Sequence, residues 1–341
     1  MLTQTVNKDS ILLLCKKPGA TSFQSLAQVK KALATTKVGH TGTLDSFACG
    51  LLVVCTGHLT KLASKITGFD KTYQAVIEFG SETDTLEYTG NIVKKASLPS
   101  LTDLENSIKK WTGTIDQIPP VFSAIHIDGK RASALTRSGE QVEMPSRKVT
   151  VYKSELLETK LEGDKVKYAH IRFVVSKGTY IRSLARDIAD SCGSAGHLVG
   201  LFRTQVGSFD IKDSVFYDEE KNFCIDYALG CKDAYLEQQK SESGKERKPF
   251  NEDNLSLIRA SSKEFTVKMS EECGLNSIII KEDGLADFYN GRPLKSKNFY
   301  TSLFDLPNNS DVSVFTEDGD FCGMINKNQE GRVGYSFVIH K

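Results

Sequence analysis

Residues 39–50 read Gly-His-Thr-Gly-Thr-Leu-Asp-Ser-Phe-Ala-Cys-Gly and hold one carboxylate, Asp45. Residues 10–44 carry five lysines (Lys16, Lys17, Lys30, Lys31, Lys37) and no acid. Basic surroundings favour an ionised carboxyl group, and a carboxylate can act as a nucleophile or a general base. The glycines open backbone conformations closed to other residues and let a ligand come close. Aspartate in a glycine-rich turn is also a common turn or cap residue, so residue types and spacing leave both roles open. The stretch lacks the Gly-x-x-x-x-Gly-Lys-Ser/Thr spacing of a phosphate cradle. A second feature lies at residues 129–149: Lys130, Arg131, Arg137, Arg147 and Lys148 stand against Glu140 and Glu143. Such a run suits a solvated face or a phosphate-binding surface.

The elements that must position these residues follow from composition and periodicity. The 341 residues are 39% hydrophobic and 26% charged, with 44 basic side chains against 43 acidic ones. That is globular composition, with length for about two domains. A net charge of +1 excludes binding by bulk charge but not by a local patch. The polar start, Met1 to Ser10, predicts no secretory signal and a cytoplasmic protein. The apolar runs Ile11 to Leu14 and Leu51 to Val54 are buried-strand length, far below the roughly 20 residues of a membrane span. Eight scattered cysteines without a Cys-x-x-Cys pair predict reduced, buried thiols and no metal site.

Further strands are predicted at Tyr73 to Phe79 and at residues 170–175. Thr21 or Ser22 can cap a helix carrying Leu26, Val29 and Leu33 on one face. Other helices are predicted over His58 to Ile66, Leu104 to Trp111 and Thr179 to Cys192, the first and last stopping at Gly68 and Gly193. Pro119-Pro120 ends regular structure. Residues 237–256, rich in Glu, Lys, Ser, Asn and Gln, read as a solvated connection. The tail reads as short strands: Val312 to Thr316 and Phe321 to Ile325 flank the hairpin signal Glu317-Asp318-Gly319-Asp320, and Val333 to Ile339 follows.

The stretch around Asp45 resembles the motif Gly-His-x-Gly-x-Leu-Asp-Pro-x-Ala-x-Gly of the TruB family of tRNA pseudouridine synthases. The resemblance continues in order through Asp70-Lys71-Thr72-Tyr73, Thr83-Asp84-Thr85, Gln117-Ile118-Pro119-Pro120 with Ser123-Ala124 and Gly129-Lys130-Arg131, and Ser176-Lys177-Gly178-Thr179-Tyr180-Ile181-Arg182. It covers residues 11 to about 210, and the tail resembles a PUA domain more weakly. Departures are Ser46 for proline, His126 for lysine and Ser133 for an aromatic. Lys17-Pro18-Gly19-Ala20-Thr21-Ser22 is one residue shorter than the family's Lys-Pro-x-Gly-x-Thr-Ser.

The resemblance implies an α+β pseudouridine synthase fold with a mixed, largely antiparallel central sheet, an RNA-binding cleft and a small C-terminal β-barrel-like PUA domain. It implies a catalytic domain at 1–232 with an RNA-binding thumb at about 117–150, a connection at 233–275 and the PUA-like domain at 276–341. The implied reaction isomerises uridine 55 in the T-loop of tRNA and needs no cofactor. Asp45 would attack or deprotonate the ribose of an everted uridine, with Arg182 as its ion partner. Tyr73 would be the platform for the base, Tyr180 and Leu201 would line the pocket, and His40 would lie against displaced nucleotides. Lys130, Arg131, Arg137, Arg147 and Lys148, with the early lysines, would meet phosphates, and the tail would hold the acceptor end. No membrane contact is implied, and nothing demands more than a monomer. On the residues alone, Arg182 could be a helix-surface charge, with Arg186 and Asp190 spaced for an i,i+4 pair. A silent RNA-binding scaffold, a guide-RNA-dependent synthase and a small-molecule carboxylate enzyme are the competing classes. The last is disfavoured because glycosidases need two paired carboxylates.

Overall fold

The apolar runs of the sequence become strands of one sheet. The computed structural model describes residues 8–123, 125–127, 129–138, 142–218, 222–240, 251–262 and 264–339, without the side chains of 126, 127, 130, 131, 133, 134, 137 and 238–240. Nine strands form the main sheet: β1 (Ile11–Lys16), β2 (Val38–His40), β3 (Cys49–Thr56), β4 (Lys71–Phe79), β5 (Gly113–Gln117), β6 (Arg147–Glu162), β7 (Lys165–Val175), β8 (Gly196–Val206) and β9 (Phe209–Asp210). Their order is β1-β3-β8-β4-β7-β6-β5, with β2 on β3 and β9 on β8. Among the strand pairs of this sheet only β3–β8 is parallel. The expected mixed, largely antiparallel sheet is therefore observed.

Strand β3 is buried along its whole length, which explains its unbroken apolar run. Leu51, Val53 and Cys55 enter the main core, while Leu52 and Val54 pack beneath helix α1 (Ser22–Ala32) with Leu26 and Val29. Thr21 caps that helix in a capping box with Gln24. Helix α2 (Leu101–Lys110) runs to its cap at Trp111, close to the expected span. Helix α3 (Ile181–Ser191) buries Ile181, Leu184, Ala185, Ile188 and Ala189, the i, i+3, i+4, i+7, i+8 stripe of a core-facing helix. It begins two residues later than predicted, because Tyr180 is extended and its backbone is held by Gln117.

Three expectations change. Strand β6 runs for 16 residues and was not read from the sequence; three register irregularities against β7 break the alternation that would mark it. The segment read as a solvated connection contains the end of helix α4 (Ile225–Lys240) and the start of α5 (Glu252–Ser261), while residues 241–250 lie outside the described residues. Leu255 and Ile258 of α5 join the apolar cluster under α1. Arg186 pairs with Asp187 at 2.8 Å and not with Asp190, which is 2.5 Å from Lys94.

Helix α6 (Val267–Glu272) leads into a four-stranded sheet of β10 (Asn276–Ile279), β11 (Ser310–Phe315), β12 (Phe321–Lys327) and β13 (Val333–Val338), joined in that order. The hairpin forms at Glu317-Asp318-Gly319-Asp320, with Thr316 N donating to Asp320 O and Gly319 at φ +87°. This sheet has its own apolar cluster around Ile278, Val312, Val314 and Ile325. Its other face adds Phe315, Met324 and Phe337 to the main core. Phe337 stacks on His58, with ring centres 5.5 Å apart, and Lys61 Nζ donates to Ser336 O.

Candidate active site

Asp45 sits in the loop between β2 and β3, and its neighbours on both sides are tied down. Ser22 Oγ accepts from Leu44 N at 2.9 Å and donates to Leu44 O at 3.1 Å. On the other side Ser46 O accepts from Gly19 N at 2.8 Å and from Lys16 Nζ at 3.2 Å. Lys16 is 1% exposed, and its ammonium also donates to Ala20 O and Lys17 O. Burial pushes the Lys16 pKa down to about 8, against the pull of Cys49 and Asp45. Lys16 is thus an internal strut and not, as the sequence implied, part of a phosphate-facing set. Counted from Lys16, with Lys17 in place of proline, the spacing Lys-x-x-Gly-x-Thr-Ser is whole, so the loop is not short. Ser46 serves through its backbone, which a change from proline leaves in place.

Arg203 holds the same loop from below. It is 1% exposed; its Nε donates to Leu51 O at 2.8 Å and its Nη2 to Gly42 O at 3.1 Å. Gly50, at φ +110°, lies so close to β8 that a Cβ would sit 2.3 Å from Arg203 O. That position needs glycine on both grounds.

Arg182 reaches Asp45 from the first turn of α3. Its Nη2 donates to Asp45 Oδ1 at 3.2 Å, and its Nε lies 2.9 Å from Oδ2. The second contact is an ion pair by distance; the Nε–H is not aligned for a hydrogen bond. Nη1 donates to Thr85 O at 3.0 Å and Nη2 also to Phe122 O at 2.9 Å. The guanidinium is 5% exposed as a residue, whereas the Asp45 side chain keeps 38% exposure. The surface-charge reading of Arg182 does not hold. The carboxylate, oriented by a buried cation, faces a cavity of about 430 Å³ lined by Tyr73, Tyr180 and Leu201 as well.

Those three side chains come from β4, the cap of α3 and β8. Tyr73 is opposite Phe173 and Arg203 in register and stays half-buried, while Leu201 is 5% exposed. Gln117, fully buried at the end of β5, accepts from Tyr180 N at 2.8 Å and donates to Tyr180 O at 3.1 Å. His40 is not among the residues lining the cavity; its Nδ1 accepts from Gly42 N at 3.4 Å. Burial, then the Arg203 charge, holds the imidazole below its ordinary pKa. Arg147 lines the cavity, whereas Lys148 lies outside it, 76% exposed and 3.2 Å from Asp116. The side chains of Lys130, Arg131 and Arg137 lie outside the described residues, as do those of His126 and Ser133.

Sequence reasoning missed Arg203 and Glu87 and the buried roles of Lys16 and Gln117. Glu87 is 9% exposed, with Oε1 accepting from Thr89 Oγ1 at 2.6 Å and Oε2 without a partner. Burial raises its pKa to about 7; the Thr89 bond opposes this, Asp45 adds to it and Arg182 opposes it. Nothing in the sequence separates these buried polar groups from surface ones.

Comparisons with known proteins bear on the family and the fold. Residues 30–181 match the family described as TruB family pseudouridylate synthase, N-terminal domain. A tRNA pseudouridine synthase B of Treponema denticola is 42% identical over 337 residues, covering 93% of each chain. Its namesake in Borreliella burgdorferi is 44% identical over 208 residues, 61% of this chain and 73% of that one. A chain in the solved H/ACA RNP bound to a substrate RNA containing 2'-deoxyuridine superposes with TM-score 0.61 at 19% identity, over 98% of this chain and 86% of that one. At that identity the likeness speaks for the fold alone. With 42% identity to that Treponema denticola relative over 93% of both chains, the chain belongs to the TruB family of pseudouridylate synthases.

Proposed function

We propose that the protein is a tRNA pseudouridine synthase that isomerises uridine 55 of the T-loop. The observation that carries the reading is the Asp45 carboxylate, paired with a buried Arg182 and open to a cavity of nucleoside size. In the reaction the C1′–N1 bond breaks, a C1′–C5 bond forms, C5 loses a proton and N1 gains one. Substrate and product are isomers, so neither oxidant nor nucleotide triphosphate is consumed. Asp45 either attacks C1′ or removes a C2′ proton, and Arg182, paired with it, keeps it aimed. A uridine stacked in a stem-loop must be everted to reach this depth. Tyr73 offers the base a flat face, Tyr180 and Leu201 close the pocket, and His40, outside the cavity lining, meets the displaced nucleotides.

Phosphate contacts come from the thumb, through Lys130, Arg131, Arg137 and Lys148. The C-terminal sheet acts as a PUA-like module on the acceptor end of the tRNA, and the catalytic unit works as a cytoplasmic monomer on the T-arm. No helix among the described residues is long and apolar enough to cross a membrane. The test is Asp45→Asn with transcribed tRNA. Pseudouridine at position 55 should fall below detection while RNA affinity stays within about threefold, since a neutral isostere keeps the packing. Near-normal turnover by this variant would remove Asp45 from the chemistry.

A further inference from the structure

Two polar groups in the cavity are not used by the Asp45–Arg182 pair. Ser123 is 5% exposed and its Oγ meets no partner. Arg147, the first residue of β6, lays its guanidinium 5.0 Å from the centre of the Tyr180 ring, and its Nη2 is buried without a hydrogen-bond partner. Both residues line the cavity that holds Asp45 and Tyr73. Buried donors in native proteins are almost always paired, and a charged one left unmade is costly. A guanidinium N–H kept in that condition beside a cavity is a seat for an acceptor oxygen brought by the ligand.

Building on the reading of this cavity as the site of an everted uridine, we infer that Arg147 reads the uracil itself, donating from Nη2 to a ring carbonyl. Guanidinium has donors only. Turning uracil about the line through N3 and C6 exchanges N1 with C5, which is the change the reaction requires. The same turn exchanges the C2 carbonyl with the C4 carbonyl. A donor that faces one carbonyl before the turn faces the other after it, so its hydrogen bond is remade with product. N3–H stays on the axis, where a hydroxyl such as that of Ser123 accepts from it throughout. A phosphate is the other acceptor an arginine takes, but Nη2 has no access to water, while the neighbouring Lys148 stands in the open.

The test uses the full chain carrying Asp45→Asn, so that uridine is bound and not consumed. Affinities are measured for three T-arm hairpins, with uridine, cytidine or 2-thiouridine at the target. Cytidine replaces the C4 carbonyl by an amine, and 2-thiouridine replaces the C2 oxygen by a weak acceptor. The parent should prefer uridine over one of the two by about tenfold or more. Adding Arg147→Met should bring that ratio to within about twofold of unity. The ratio is taken within one protein, so a lower folded fraction cancels. If the methionine variant does not fold, Arg147→Lys, which keeps the charge but not the planar fork, carries the same test. Equal weakening for all three hairpins with a flatter salt dependence would assign Arg147 to a phosphate and overturn the inference. Unchanged ratios, or a parent without any preference, would overturn it as well. Pseudouridine formation by the unmutated protein, followed in parallel, shows whether the reading of the site stands when this one fails.

Discussion

Arg182 joins three segments through one planar group: Asp45 of the loop, Thr85 O and Phe122 O. Lysine at this position keeps the charge but cannot reach all three acceptors. Arg182→Lys should lower the single-turnover rate by about 100-fold or more, since small misplacements of a reacting group have effects of that size. Glu87, close enough for Asp45 and Arg182 to influence it, gives the folded protein a pH signature. Its pKa of about 7 when folded lies above the 4.5 of the unfolded chain, so folding takes up a proton between those values. The stability this group lends is complete below about 4.5 and is lost as pH rises through about 7. Relative to Glu87→Gln, which does not titrate, wild type should lose up to about 3 kcal/mol from pH ~5 to ~8 in denaturant midpoints. Asp45 stood out as the only acid in its stretch, but its role came from the family resemblance, since residue types alone left a turn or cap role open. The roles of Glu87, Gln117 and Arg203 were not legible, because burial decides them and a single sequence does not display burial.

Among the elements, those with a clean period were readable. Strand β3 announced itself by its apolar run, α1 by its cap and stripe, and the C-terminal hairpin by Asp-Gly. Strand β6 was hidden because its bulges spoil the alternation, and α5 because polar residues outnumber the two that matter, Leu255 and Ile258. That second miss is testable. Ile258 is fully buried under α1, and Arg259 Nε donates to Ala32 O at the end of that helix. Ile258→Ala should cost about 2–4 kcal/mol in chemical denaturation, as for other large-to-small core changes. A solvated linker residue would give a change near zero.

Across the whole molecule, the sequence predicts a separate β-rich tail but not how the tail sheet meets the main core. The interface is made by Phe337 on His58, Lys61 on Ser336 O, and Phe315 and Met324 against the main core. The first two contacts have no local sequence signal, since their partners are more than 200 positions apart. Phe337→Ala should lose about 3–5 kcal/mol of stability. It should also slow modification of full-length tRNA more than of an isolated T-arm hairpin; equal slowing of both would separate this interface from recognition of the distal tRNA. The loop bearing Asp45, by contrast, is moored to the interior by the buried Lys16, Ser22 and Arg203. RNA arrival therefore has nothing to assemble there. The reaction centre is ready-made, and what an incoming stem-loop must rearrange is itself.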